Sequence, residues 1–177
     1  HNLSARWRWL IEVYLLRLAL QWTLARAFAS SSLLFYVGFD KKMTSDFLAH
    51  YELPFPDTFH ISDYNKDKYP VLIKSRDGSG SKSIHIVNNN DELTFYQKIY
   101  PDFIAQEFLI DQGGEFTCGL FRSTSGEVRD VILKRKLMGG FSGFGSREEH
   151  PKISELLHKL AFLLDLRGSI NIQLRLV

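Results

Sequence analysis

One stretch, Tyr69 to Val87, limits what this chain can build. It reads Tyr-Pro-Val-Leu-Ile-Lys-Ser-Arg-Asp-Gly-Ser-Gly-Ser-Lys-Ser-Ile-His-Ile-Val, two short apolar runs joined by a Gly/Ser tract. The pattern predicts strand, loop, strand. In an extended segment side chains alternate between faces, so Leu72, Lys74 and Arg76 point one way while Val71 and Ile73 point the other. Two cations therefore share a face ahead of a loop, Asp77 to Lys82. Its glycines leave backbone N–H groups free to close around an anion, and Lys82 adds charge. A phosphate suits such a loop; a solvated hairpin turn with incidental lysines is the other reading.

With 177 residues the chain is long enough for one well-packed domain or two small lobes. Its formal net charge is only +2 and its basic residues are spread among acidic ones, which argues against a nucleic-acid binder. The single cysteine, Cys118, lies in the apolar run Phe116 to Phe121 and has no internal disulfide partner. It reads as a buried structural thiol, and a reducing, cytoplasmic setting is the default. The first residue is not methionine, so a processed, tagged or excised fragment is expected.

Arg6 to Phe28, rich in Leu, Trp and Ala, reads as a helix that is apolar around most of its circumference. Glu12 and Arg17 interrupt the roughly 20 apolar residues a bilayer span needs, so a buried or partner-covered helix is preferred to a membrane anchor. Leu33 to Val37 reads as a strand. Asp40 is an N-cap for a helix to Tyr51 whose docking face is Met43, Phe47, Leu48 and Tyr51, and Pro54 and Pro56 stop it. Thr58 to Ser62 is a short strand. Asp91 to Ile99 is a helix presenting Leu93, Tyr96 and Ile99 to a sheet, ended by Pro101.

Phe103 to Ile110 reads as a strand interrupted only by Gln106 and Glu107. An amide and a carboxylate there must be hydrogen-bonded or face a cleft, unless the strand is a solvated edge. Glu115 to Ser123 and Val128 to Leu137 form a hairpin through Thr124 to Glu127. Gly139 to Gly145 is a second glycine-rich loop, a lid or a passive connector. Pro151 opens a helix with Ile153, Leu156, Leu157, Leu160 and Leu164 on one stripe. Ser169 to Val177 alternates strictly, with Asn171, Gln173 and Arg175 opposite Ile170, Ile172, Leu174 and Leu176. That polar row is a solvent side or the floor of a site.

From Asp40 to Val177 the order of features resembles the ATP-grasp superfamily, particularly its carbamoyl-phosphate-synthase-like members. Five motifs carry the resemblance: Asp40-Lys41-Lys42-Met43-Thr44 with Phe47-Leu48 and Pro54 to Thr58; Pro70-Val71-Leu72-Ile73-Lys74 followed by Gly78, Gly80 and Ser81; Gln106-Glu107-Phe108-Leu109 with Glu115 and Thr117; Gly139-Gly140; and Asn171-Ile172-Gln173-Leu174-Arg175. The implied fold is α+β, two lobes each with an antiparallel sheet and helices, and a nucleotide between them. The implied small lobe runs from about residue 57 to 105 and the large lobe from about 106 to 177, with residues 1–38 left as the remnant of a preceding domain.

The resemblance also implies roles. Lys74 would contact the phosphates of ATP, with Lys41 nearby and Gly78, Ser79, Gly80 and Ser81 folding over them. Gln106, Glu107, Phe108 and Leu109 would form the hinge whose backbone reads the adenine edge. Glu115 would accept from the ribose hydroxyls, Gln173 would face Mg2+, and Arg175 would be catalytic together with Lys74; Lys136 and Arg135 would approach phosphate or substrate. In the family the next strand carries a Glu and an Asn that bridge two Mg2+ ions. The chain ends before it, so an incomplete metal pair and reduced or absent turnover are expected.

The function implied is an ATP- and Mg2+-dependent ligase that activates a small-molecule carboxylate or bicarbonate as an acyl phosphate for attack by an amine or another nucleophile. A nucleotide-binding or partner-binding module without turnover is the alternative, with residues 7–28 as the contact to a partner domain or a second copy. A Ser-His-Asp or Cys-His constellation is not evident: His60, His85, His150 and His158 are scattered.

Overall fold

The computed structural model describes residues 9–14, 38, 40–65, 67–77, 84–110, 113–138 and 141–176. In chain order they form β1 (Trp9–Tyr14), α1 (Lys41–His50), β2 (Thr58–His60), β3 (Val71–Lys74), β4 (Ile84–Val87), α2 (Asn90–Ile99) and β5 (Ile104–Glu107). There follow β6 (Gly114–Arg122), β7 (Val128–Met138), β8 (Phe141–Arg147), α3 (Pro151–Leu163) and β9 (Gly168–Leu176). The strands make two antiparallel sheets, one in the order β1-β9-β6-β7-β8 and one in the order β2-β5-β3-β4. The fold class is α+β, as the sequence leads one to expect.

Each helix starts where a side chain or a proline lets it start. Asp40 accepts from the backbone N–H groups of Lys42 and Met43, and Asn89 accepts from that of Glu92, so orphan donors of α1 and α2 are satisfied. Pro151 occupies the first turn of α3, where its missing N–H costs nothing.

In the four-stranded sheet, Val71, Ile73, Val87 and Ala105 pack with Leu93 of α2 and with Ile61 into one core. Leu72 pairs with Gln106 and Lys74 with Ile104, so these four residues share the face opposite that core. In the five-stranded sheet the even-numbered residues Phe116, Cys118, Leu120, Ile132, Ile170, Ile172 and Leu174 pack against Ile153, Leu157 and Leu160 of α3 and against Phe47 and Leu48 of α1. The odd-numbered residues of β6, β7 and β9 therefore form the other face.

Several expectations are corrected. Residues 9–14, inside the expected helix of Arg6 to Phe28, are a strand antiparallel to β9, with Glu12 opposite Gln173. An apolar run broken only by Glu12 fits a helix or a strand, and pairing with the edge of β9 decides its conformation. This strand joins the five-stranded sheet; the remaining residues of that expected helix and the expected strand Leu33 to Val37 lie outside the described residues. Of the loop Gly139 to Gly145, read as lid or connector, Phe141 to Gly145 belong to β8 and pair with β7, while Gly139 and Gly140 lie outside the described residues. Gly143 lies under the Met138 side chain, and a Cβ there would collide with its sulfur, so glycine here serves packing within a sheet. Met43 and Ile99, assigned to buried faces, are 36% and 47% exposed. The strand read from Phe103 to Ile110 is shorter, Ile104–Glu107.

Candidate functional site

The polar row of β9 is the floor of a charged cluster. Glu115 pairs in register with Arg175 on one side and Arg135 on the other, and Thr117 pairs with Gln173. Side chains on opposed residues of adjacent strands stand close enough to interact, and Glu115 makes an ion pair with each of its opposed arginines. Arg175 Nη2 makes an ion pair with Glu115 Oε1, and Arg135 Nε lies 3.7 Å from Glu115 Oε2. Arg135 Nη2 donates to Gln173 Oε1 at 2.8 Å, and Thr117 Oγ1 donates to Asn171 Oδ1 at 2.8 Å.

The Glu115 side chain is only 13% exposed, so its carboxylate is held between two guanidinium groups with little water to screen them. Gly114, just before it, has φ +101, a left-handed value that suits glycine, and a Cβ there would press on the Lys134 side chain. Arg175 also reaches out of its sheet: Nη1 donates to the Leu109 carbonyl at 3.1 Å. Leu109 lies in the segment that leads from β5 to β6, so one guanidinium ties the cluster to the crossover between the sheets.

The residues expected to form a site thus fall into three groups. Glu115, Gln173 and Arg175 come together, with Leu109 bonded to them. Gln106 and Glu107 sit at the end of β5, an internal strand of the small sheet, and both are hydrogen-bonded. Gln106, 5% exposed, donates through Nε2 to Thr58 Oγ1 at 2.8 Å. Glu107 Oε2 accepts from the Asp57 N–H at 3.2 Å, while its own N–H donates to the Asp57 carbonyl at 2.8 Å. The solvated-edge reading of this strand is therefore excluded.

Lys74, also 5% exposed, lies on the Gln106 face of the same sheet. Lys41 belongs with the end of β3: its N–H donates to the Arg76 carbonyl at 3.1 Å and its Nζ to the Asp77 carbonyl at 3.2 Å. Phe108 is half-buried beside Leu109. Gly78, Ser79, Gly80 and Ser81 lie outside the described residues.

Arg135 earns a larger place than the sequence assigned it. Lys134, Arg135 and Lys136 look alike in the sequence, but only the odd-numbered residue faces Glu115; Lys134 packs its ammonium 5.9 Å from the Phe116 ring on the other face. The parity of β7 against β6 was the missing signal, and it depends on the length of the hairpin turn.

Gln173 does not find the surroundings a Mg2+ ligand needs. Its Oε1 accepts from Arg135, two guanidinium groups flank the Glu115 carboxylate, and Mg2+ requires an octahedron of oxygens. Among the described residues, no group of three or more His, Cys, Asp or Glu is placed to hold a metal ion. The described cluster therefore does not fit Mg2+ by itself, and its chemistry is that of an anion-binding, hydrogen-bonding surface. Among the described residues, no helix is long and apolar enough to cross a membrane.

A family model described as an ATP-grasp domain matches residues 39–173. No curated protein is matched by the sequence. Solved structures with a similar fold include the L-amino acid ligase of Bacillus licheniformis, 22% identical over 81% of this chain and 38% of that one, with a TM-score of 0.63. The N5-carboxyaminoimidazole synthetase of Staphylococcus aureus complexed with ADP is 12% identical over 84% of this chain and 46% of that one, with a TM-score of 0.69. The carboxyaminoimidazole ribonucleotide synthase of Aspergillus clavatus complexed with ATP is 14% identical over 77% and 43%, with a TM-score of 0.59. The chain spans less than half the length of each of these proteins.

Proposed function

The chain belongs to the ATP-grasp family, and from that premise we propose that it binds an adenine nucleotide and forms part of an ATP-dependent ligase acting on a small-molecule carboxylate. The observation that carries the reading is the cluster of Glu115, Arg135, Gln173 and Arg175, with Arg175 bonded to the Leu109 carbonyl. In it a carboxylate able to accept from sugar hydroxyls lies beside guanidinium groups able to neutralise phosphate, next to the segment that joins the sheets. Two solved structures of similar fold contain ADP or ATP, which supports the choice of ligand.

The reaction proposed is in-line attack of a carboxylate oxygen on the γ-phosphorus. The bond from that phosphorus to the β,γ-bridging oxygen breaks and ADP leaves. An amine then adds to the acyl carbon, loses a proton, and expels inorganic phosphate. Such chemistry asks for positioning and charge neutralisation, and no side-chain nucleophile. In this reading Lys74 and Arg175 carry the charge work and Glu115 orients the sugar. Mg2+, when bound with ATP in such reactions, offsets phosphate charge; its ligands are not assigned to the described residues.

A second reading, a nucleotide-binding module without turnover, is favoured by one feature: the carboxylate of the cluster is already neutralised by arginine. Two measurements separate the readings. Calorimetric titration with ADP tests binding, and absence of binding overturns both. Incubation with ATP, Mg2+, hydroxylamine and a panel of amino acids tests turnover. Hydroxamate formation supports the ligase, and ADP binding without it in a full-length protein leaves the binding module.

A further inference from the structure

We propose that Asp40 and Arg76 form a latch that positions Lys74, holding the end of its strand to the body of the five-stranded sheet. The functional part of this inference rests on the nucleotide reading above; the structural part does not.

The Asp40 carboxylate does two jobs with two oxygens. Oδ1 caps α1, accepting from the N–H groups of Lys42 at 2.9 Å and Met43 at 3.1 Å. Oδ2 accepts from Arg76 Nε at 2.7 Å, a charge-assisted bond across 36 positions of sequence. The backbone repeats the link, since the Lys41 N–H donates to the Arg76 carbonyl at 3.1 Å. Lys41 Nζ and Ser75 Oγ both donate to the Asp77 carbonyl, at 3.2 and 2.7 Å. On its other side Arg76 Nη1 lies 3.2 Å from His60 Nε2 at the end of β2. Residues 75–77 are thus tied to α1 and to β2 directly after Lys74.

The helix they are tied to is not free to follow the small sheet. Phe47 and Leu48 of α1 are buried in the core that holds Phe116, Leu120, Ile172 and α3. Alpha helices transmit position as rigid rods over a few turns, so fixing the first turn of α1 fixes Arg76 relative to that core. Lys74 is the last residue of β3 and Arg76 follows it after a single residue, so at most about 7 Å of chain separates their Cα atoms and leaves little slack. The latch therefore sets where the Lys74 strand ends relative to Glu115, Arg135 and Arg175. Asp40 and Arg76 are positioning residues, since neither is argued to touch the nucleotide.

The test separates positioning from folding and from the nucleotide reading. Arg76→Gln removes the latch and spares the helix cap; Asp40→Asn keeps an oxygen for the cap and removes the charge. Hydrogen exchange of amides 71–77 is expected to accelerate in both variants while β6 and β9 keep their protection. ADP affinity is expected to fall about tenfold and adenosine affinity by less than about twofold, the size of coupling through a close charged pair. Arg76→Lys is expected to recover part of the ADP affinity. The double variant is expected to lose no more than the worse single variant.

Unchanged exchange at 71–77, equal losses of ADP and adenosine affinity, or additive losses in the double variant would each overturn the latch. If wild-type protein bound no ADP, the nucleotide reading would fall, and exchange at 71–77 would decide the latch alone. If Arg76→Gln did not fold, Asp40→Asn would carry the same measurements.

Discussion

The two sheets treat their polar residues in opposite ways. Beside the buried Lys74, the small sheet buries a neutral pair, Gln106 and Thr58, and bonds it internally: the amide donates to the hydroxyl, and the hydroxyl donates to the Pro56 carbonyl. The large sheet sets three charges in a row across β7, β6 and β9, Arg135, Glu115 and Arg175. A satisfied neutral pair fixes the register of strands and asks nothing further. Two guanidinium groups around one carboxylate leave an excess of positive charge and of N–H donors in a place with little water. That excess is stable only if a ligand or exposed neighbours absorb it, and here Arg175 spends one donor on the Leu109 carbonyl. The contrast teaches where to look for function: in charges that are only partly balanced, rather than in buried polarity as such.

The sharpest way to break this contrast is Glu115→Ala. Removing the carboxylate leaves Arg135, whose side chain is only 11% exposed, beside Arg175 with no counter-charge. A loss of about 3 kcal/mol of folding stability is expected from an uncompensated, largely buried charge, read from the urea midpoint, together with loss of ADP binding. Glu115→Gln, which keeps the volume and a hydrogen-bond acceptor, should lose less stability. A wild-type urea midpoint in Glu115→Ala would mean that the row is solvated and ordinary, and the comparison would fail.

The opposite face of the same sheet offers the next largest effect. Cys118 is fully buried among Phe116, Leu120, Ile132 and Ile172. Burial, joined by the nearby Asp130 carboxylate, pushes its thiol from 9.0 up to about 12. Above pH 9 the unfolded chain gives up this proton while the folded protein keeps it. The unfolded state then binds fewer protons, and stability falls as pH rises from about 9 toward about 12. The limiting slope is about 1.4 kcal/mol per pH unit. Urea midpoints between pH 8.5 and 10.5, a window of about the first unit and a half of this linkage, should decline in wild type more steeply than in Cys118→Ala. Burial also raises the Tyr64 hydroxyl in the small sheet's core, with the nearby Tyr69, Asp67, Asp57 and Glu107 adding to it. The Cys118→Ala chain retains that tyrosine, so the difference isolates the thiol. Equal slopes would show that the large sheet's apolar face admits water.

How far such features could be seen in advance depended on whether local pattern or a neighbouring strand decided them. The start of α1 was legible because Asp40 can cap only the turn that follows it, and β9 was legible because Asn171, Gln173 and Arg175 alternate without error with Ile170, Ile172 and Leu174. Glu115, Gln173 and Arg175 could be grouped from the order of motifs alone. The strand β8 could not be foreseen, since Phe-Ser-Gly-Phe-Gly has loop composition and becomes extended only by pairing with β7. The strand β1 was hidden for the same reason: Trp-Leu-Ile-Glu-Val-Tyr fits a buried helix as well as a strand, and β9 settles it. Arg135 was visible as a cation that would approach phosphate or substrate but not as the partner of Glu115 and Gln173, because its facing depends on a register set by the turn at Thr124 to Glu127.

The smallest expected effect concerns the neutral pair, and it tests the comparison from the other side. Gln106→Ala removes the Nε2 donor to Thr58 Oγ1 but leaves that hydroxyl its acceptor at Pro56, so no buried donor is stranded. The expected cost in stability is about 1 kcal/mol, the net worth of one hydrogen bond between uncharged groups. Replacing both members together, Gln106→Leu with Thr58→Val, fills the space with apolar groups but takes the donor from the buried Pro56 carbonyl, so a cost of about 1–3 kcal/mol is expected. If the pair serves the fold alone, ADP affinity in this double variant should stay within about twofold of wild type, an effect below about 0.5 kcal/mol. A much larger loss of ADP affinity with stability intact would place the Gln106 amide against the nucleotide. The small sheet's buried polarity would then be functional, and the two sheets would differ in charge alone.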